Sequence, residues 1–505
     1  MTDPDVVVIG SGPNGLIAAN VLARRGHRVL VLEANPRRPG GALGSEELTL
    51  PGFVHDIGAG FFPFARTSPA FRELDLEAAG ARFENAPFES CHPALDDSYA
   101  CIARDIDLMA KHFGSAEDGR AVAELARFHA DIEERLLGAL LSTFPSLGPA
   151  LRLGPSNLLR VASLLARSGS SLARSLFASE AARRVLPSLA LHVDVGPDDA
   201  LGAPLGYVLG MTATTGGYAV PVGGAQSVTN VLVTLLERGG GRLRLGARAA
   251  RIIVRKRRAH GVVLSDGEEI PAARAVLACT SAPSLYLELL APRDVPTWVL
   301  SSMRRFEQGF GTFKLDWALS GPAPWRCEAA RQSAVVHAAE SLDDLSEFVR
   351  EVRSGELPTR PYLVIGQHTL VDPSRAPEGK HTLYAYSRVP GTMAGGWERE
   401  RERFADRVEE RIEGLAPGFR ERILARKAST PEDLFGWNRN LIRGDLGGGS
   451  NAWNHQLLFR PVFPYFRYRT PVEGLYLCSS YAHPGAGVHG MCGYNAAKVA
   501  AREIG

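Results

Sequence analysis

The sequence predicts an α/β fold of two domains, and three observations predict it. Near the N-terminus the apolar run Val6-Val7-Val8-Ile9 passes through Gly10-Ser11-Gly12-Pro13-Asn14-Gly15 into a helical pattern over residues 16–25, and a second apolar run ends at Glu33. Elements of the same kind return in the middle of the chain, around Gly223-Gly224 and residues 275–278. They return again at its end, where residues 474–478 lead into a helix from Asn495. Two long segments of different character separate these stretches, and a chain of 505 residues is too long for one simple core.

The opening stretch is a Rossmann-type dinucleotide-binding pattern, and each part has a physical task. Gly10 permits the sharp turn, Gly12 lets backbone N–H groups approach a pyrophosphate beside Pro13 and Asn14, and Gly15 lets the helix pack closely on the strand. The helix points its N-terminus at the phosphates, where free N–H groups and the macrodipole favour negative charge. Glu33, followed by Ala34 and 18 residues beyond Gly15, is an acceptor suited to the two hydroxyls of an adenosine ribose. A bare glycine triplet is weak evidence; a strand before it, a helix after it and the acid make the pattern specific. At this point both NAD and FAD satisfy it.

Further along, Gly52 to Gly60 forms a glycine-rich loop ending in Gly58-Ala59-Gly60. Residues 71–195 read as mostly helical, broken at Pro145, Pro149 and Pro155. Within them Arg160, Arg167 and Arg174 recur every seven residues among leucines, a basic stripe beside an apolar face on one helix. Such a helix either lies on an acidic membrane surface or is a surface helix with its apolar side on the core. A helix over residues 228–238 ends at Gly239-Gly240-Gly241. Strands follow at 243–245, 249–254 and 261–264, with a hairpin turn at Asp266-Gly267, and another at 275–278. Residues 310–317, 362–368 and 381–387 suggest a second sheet, with helices at 341–353 and 398–415 between them. The expected division is a nucleotide domain from residues 1–75, 205–285 and 445–505. A substrate domain of α+β type is inserted as 76–204, mostly helical, and 286–444, sheet and helices.

Composition narrows the function. With 57 basic against 55 acidic residues and no basic block, nucleic acid is not an expected partner. The six cysteines form no C-x-x-C pair, which supports no zinc or disulfide-exchange site and fits reduced thiols. The first strand begins at once, without the pattern of a signal peptide, and no uncharged stretch reaches the ~20 residues of a spanning helix. The expected location is cytoplasmic, with the arginine stripe as the point of any peripheral membrane contact. No Ser/His/Asp set, carboxylate pair or P-loop is present, so hydrolysis and phosphoryl transfer have no support.

Two further stretches tilt the cofactor toward FAD: Arg37-Arg38-Pro39-Gly40-Gly41-Ala42, just beyond the ribose acid, and the run from Leu475 through His483-Pro484-Gly485-Ala486-Gly487-Val488-His489 to Asn495-Ala496-Ala497. Here the chain resembles the flavin amine-oxidase-type superfamily, and within it the phytoene desaturase-like branch of carotenoid desaturases, ketolases and isomerases. Cys478, His483, Pro484, Gly485, Gly487, Val488, Gly493 and Asn495-Ala496-Ala497 match the branch's C-terminal signature. Gly223-Gly224 matches its P-x-G-G segment, and Arg460-Pro461 its R-P element. The resemblance implies a two-domain flavoprotein in which Gly10, Gly12 and Gly15 hold the pyrophosphate of FAD and Glu33 the ribose. It places Gly40, Gly41 and Ala42 along the ribityl and phosphate region, Gly58, Ala59 and Gly60 at the isoalloxazine, and Ala249 against the adenine. Ser480, Gly487 and Val488 fall where the closing helix meets the flavin, a helix N-terminus that would stabilise negative charge on the reduced ring.

Ser479 and Tyr481 replace glycines of the family, and His489, Met491 and Cys492 stand where it has small, apolar or proline residues. That makes His489, Cys492 and Tyr481 the candidates for a catalytic role, against a hydrogen-bonded turn histidine and a buried inert thiol as the plainer readings. The aromatic residues Phe459, Phe463, Tyr465, Phe466 and Tyr468 either wall an apolar channel to the flavin or pack a core. The expected function is FAD-dependent dehydrogenation of a hydrophobic small molecule by hydride transfer. The alternatives are a redox-neutral isomerase and a flavin-binding interaction protein.

Overall fold

A computed structural model describes residues 3–505. Strands Val6–Ile9, Val29–Leu32, Arg242–Arg244, Ala275–Ala278 and Leu475–Leu477 form one parallel five-stranded sheet. Val6–Ile9 lies at its centre, with Ala275–Ala278 and then Leu475–Leu477 on one side and Val29–Leu32 and then Arg242–Arg244 on the other. The inner strands are almost continuously buried and apolar, as a parallel sheet covered on both faces requires. Helix Pro13–Ala23 packs between Ala225–Arg238 and the closing helix Met491–Ile504. Two glycines make that packing possible. A Cβ on Gly15 would stand 2.1 Å from the carbonyl oxygen of Gly10, and one on Gly493 1.9 Å from that of Asn14.

The second sheet has seven strands. In spatial order they are Ile423–Ser429, Gly311–Leu319, His381–Val389, Leu363–Gly366, Ser333–Ala338, Phe88–Pro93 and Tyr99–Ile102. Neighbours are antiparallel except Ser333–Ala338 beside Phe88–Pro93. Strand alternation sends Phe313, Leu315 and Trp317 into the helical core, where Phe313 meets Phe404 and Trp317 meets Phe419. Thr312, Lys314 and Asp316 take the opposite face.

Several expectations are corrected. Residues 71–195 contain the paired strands Phe88–Pro93 and Tyr99–Ile102, too short and too polar to read as a hairpin. Ser333–Ala338 and Ile423–Ser429 also carry no clear alternation and were not expected as strands. The boundary expected at 205 falls inside helix Ala203–Thr212, whose Ala203, Tyr207 and Met211 belong to the core of the second domain. The closing helix starts at Met491 rather than Asn495, because the ring Nδ1 of His489 accepts the Met491 N–H at 3.0 Å and Gly490 takes φ +67°. Arg160, Arg167 and Arg174 do not share one helix. Arg160 lies on Pro155–Leu165, Arg174 on Gly169–Leu176, and Arg167 in the break, where Ser168 caps the second helix. Arg160 lies over the Phe128 ring at 3.8 Å. Among the described residues no helix is long and apolar enough to cross a membrane.

Candidate functional site

A cavity of about 960 Å³ runs between the C-terminal edge of the parallel sheet and the polar face of the seven-stranded sheet. Of the expected cofactor residues, Gly10, Gly12, Pro13, Asn14, Glu33, Ala34, Gly41, Ala42, Gly58, Ala59, Gly60, Ala249, Ser480, Gly487 and Val488 line it. Gly15 and Gly40 do not. Gly15 serves the helix–strand contact, and Gly40, at φ +118°, turns the chain against Thr229 and the Leu43 carbonyl. Thus segments from both ends of the sequence and its middle meet on one surface.

One end of the cavity is built around Glu33. Its Oε2 accepts the Ser11 N–H at 2.9 Å and the Ser11 hydroxyl, and its Oε1 accepts the Asn35 N–H at 2.8 Å. The Ser11 hydroxyl oxygen in turn accepts the Gly40 N–H at 3.2 Å, so turn, acid and following loop are one network. Next along the cavity, helix Pro13–Ala23 has Gly12 as its N-cap, no capping side chain and no acid in its first turn. A Cβ on Gly12 would touch only the Cys279 sulfur, at 3.8 Å, and otherwise project into open space. Arg38 also lines the cavity, pairs with Glu46 at 2.7 Å and keeps a buried Nη2 without a hydrogen-bond partner among the described residues. An uncapped helix N-terminus, a bare glycine and an unsatisfied guanidinium nitrogen suit a diphosphate.

Beyond it, Gly58-Ala59-Gly60 is held rigid. His368 hydrogen-bonds the Gly60 carbonyl through Nε2 at 3.0 Å, and a Cβ on Gly60 would stand 2.4 Å from that nitrogen. Burial, reinforced by Arg375, pushes the His368 pKa down to about 3, so its ring is neutral and donates to that carbonyl. Asp56 lies behind the loop. It accepts from Ser45, from the Ala225 N–H and from Arg375, which also binds Asp372. Burial alone would raise the Asp56 carboxyl, but Arg375 and these donors outweigh it and hold it at about 2. Gly223-Gly224 therefore does not line the cavity. Its segment is the helix start that Asp56 and Asp372 cap from two other parts of the chain.

Arg460 is buried and satisfied by acceptors alone: the carbonyls of Gly447, Gly448, Ser450 and Ser480 and the Asn451 side chain. It fixes two loops whose Gly448 and Ser480 face the cavity. Residues 434 and 436–441, expected in the substrate domain, also line the cavity. Asn440 there bridges to the Cys279 carbonyl and the Ser281 N–H. Their sequence carries no motif, and Ser11 and Arg38 were legible only as parts of glycine-rich runs.

The three catalytic candidates do not form a site. His489 is buried outside the cavity, capping the closing helix, and burial lowers its pKa to about 4. Cys492 is buried in the first turn of that helix, its thiol pushed up to about 12 by burial and facing the Ala482 and Gly485 carbonyls. Tyr481 does line the cavity, but its hydroxyl donates to the Asn440 carbonyl at 2.9 Å, and burial raises its pKa. Of the two readings left open for the aromatic run, the described residues do not form the channel. Phe459 and Phe463 are exposed, Tyr468 is in the core, and none of the five aromatics of residues 459–468 lines the cavity. Trp317 and Trp325 are core residues, whereas Trp437 lines the cavity.

A parallel nucleotide-type sheet, a second sheet facing it and a cavity of about 960 Å³ between them suit a bound dinucleotide, and the family match makes the chain an FAD-dependent oxidoreductase. Residues 14–505 match the flavin-containing amine oxidoreductases, and the chain belongs to that family. It is 29% identical to mouse pyridine nucleotide-disulfide oxidoreductase domain-containing protein 2, over 99% of this chain and 94% of that one. It is 27% identical to the neurosporene-forming phytoene desaturase of Rhodobacter capsulatus, over 96% and 91%. An oxidoreductase of Methanosarcina mazei, 16% identical, shares the fold at a TM-score of 0.65, over 98% of this chain and 99% of that one.

Proposed function

We propose that the enzyme dehydrogenates a hydrophobic small molecule bound in the chamber between Gly58-Ala59-Gly60 and the seven-stranded sheet. The observation that carries this reading is one continuous cavity leading from the Glu33 network to a chamber lined by Phe61, Pro63, Leu209, Val335 and Val364. Glu33 would hold the ribose of FAD, the N-terminus of Pro13–Ala23 and Arg38 the diphosphate, and Gly58 to Gly60 with Ser480, Gly487 and Val488 the ring system. When bound, FAD supplies a two-electron acceptor for hydride. The chain's own contribution is orientation and the exclusion of water. Anaerobic addition of a substrate to the purified yellow enzyme should bleach its visible absorbance without added reductant. Turnover only after prior reduction, with product and substrate at the same oxidation level, would instead identify an isomerase.

A peripheral contact with an acidic lipid surface belongs to the same reading. Leu147, Leu151, Leu158 and Leu159 are exposed on adjoining short helices next to Arg152 and Arg160. Co-sedimentation with phosphatidylserine vesicles should occur and should weaken in a Leu151→Ser, Leu159→Ser variant.

A further inference from the structure

The chamber's sheet wall is polar, and what each group has left after its internal bonds decides what it can bind. Thr312, Lys314 and Asp316 stand in register with Arg388, Tyr386 and Tyr384 of the neighbouring strand. Arg388 is fully used, by Thr312 at 2.6 Å, by the His192 carbonyl and by Asp194 at 2.9 Å. Asp316 accepts from Lys314 and lies 3.5 Å from His55. Asp445, which also lines the cavity, accepts the backbone N–H groups of Gly309, Gly447 and Gly449.

The donors are less occupied. Tyr384 is only 6% exposed, its ring stacked on His368 and lying 5.2 Å from the Lys314 ammonium, yet it lines the cavity and its hydroxyl makes no hydrogen bond among the described residues. Tyr386 hydrogen-bonds His192 Nδ1 at 3.0 Å, and His192 Nε2 meets His337 Nε2 at 2.8 Å. Both histidines are neutral because burial lowers their pKa values. His337 Nδ1 is buried without a hydrogen-bond partner among the described residues. A bare ring nitrogen is less costly there than an orphaned N–H. His337 therefore donates to His192, His192 donates to the Tyr386 oxygen, and the Tyr386 O–H is left to point into the chamber.

We propose that this wall is a subsite for an acceptor oxygen, and that the substrate is an apolar molecule ending in a carbonyl or carboxylate rather than an amine. The proposal rests on the functional reading above. Tyr384, Tyr386 and Lys314 present O–H, O–H and N–H groups to the chamber. An ammonium group would leave these donors unmet; an acceptor oxygen satisfies them.

Four probes of matched size test it on the FAD-loaded enzyme by perturbation of the flavin absorbance and by calorimetry: hydrocinnamate, benzylacetone, propylbenzene and phenylpropylamine. Hydrocinnamate or benzylacetone should bind about 10-fold or more tightly than propylbenzene, consistent with about 1.5 kcal/mol or more from hydrogen bonds to the oxygen, and phenylpropylamine should bind no better than propylbenzene. The two oxygenated probes separate a carboxylate from a carbonyl. Tyr384→Phe removes a hydroxyl that bonds nothing in the protein, so it should leave the melting temperature unchanged and abolish the preference. Equal binding of propylbenzene, tighter binding of the amine, or a preference that survives Tyr384→Phe overturns the subsite and leaves the functional reading standing. Failure of all four probes to bind overturns both.

Discussion

At the scale of single residues, Gly12 and Gly15 show how one motif divides its labour. Both are glycines of the same turn, yet one faces the cavity and the other a carbonyl of the strand. Gly12→Val should fold, since φ is −62° there and only the Cys279 sulfur is near, but should purify colourless because the methyls would occupy the place proposed for the diphosphate. Gly15→Ala should destabilise the protein by about 1–3 kcal/mol through the clash with Gly10, measured by urea unfolding. Glu33→Ala should weaken FAD about 10- to 100-fold, the worth of charge-assisted hydrogen bonds, read by flavin reconstitution titration. These positions were legible in the sequence because strand, glycines, helix and acid occupy fixed offsets. Tyr384, Tyr386 and Lys314 were not, because an alternating strand places residues on a face without saying what the face meets. The aromatic run of residues 459–468 left channel and core equally open, because bulk and apolarity are shared by cores, surfaces and channels.

Among elements, the strand Leu363–Gly366 is as consequential as any residue that touches ligand. Gly366 lies opposite Tyr384, and a Cβ there would stand 2.2 Å from the tyrosine ring. Gly366→Ala should swing that ring from its place and remove the preference for an oxygenated probe, just as Tyr384→Phe does, at a cost in stability of about 1–3 kcal/mol. The Asp56–Arg375–Asp372 cluster ties the start of helix Ala225–Arg238 to the loop carrying Gly58 to Gly60. Asp56→Asn leaves a buried guanidinium short of charge and should cost about 3 kcal/mol in chemical denaturation. The helix itself was legible from periodicity and its terminal glycines. The acids that cap it were not, since they come from positions 56 and 372, far away in sequence.

Over the whole molecule, buried histidines set the response to acid. His368 has a pKa of about 3, and His483 and His489 of about 4, because burial disfavours the imidazolium, against 6.5 for the exposed group. Between those values the unfolded chain holds protons that the folded chain does not. Stability from these groups is therefore complete above pH 6.5 and is lost as pH falls, by up to about 1.4 kcal/mol per pH unit for each. Asp194, raised to about 7 mainly by burial, and Glu89, also raised by burial, act in the opposite sense, but His92, His192 and His337 are lowered by burial as well and add to the first three. The urea midpoint should fall steadily from pH 6.5 to 5; a flat profile would show that these rings are protonated in the folded state. The centre of the parallel sheet is supplied by residues 6–9 and one of its edges by residues 475–477, with the last helix locked at Gly493 against Asn14. A ribosome must therefore release residues 475–493 before the nucleotide pocket is complete, so loading with flavin follows the synthesis of that late stretch.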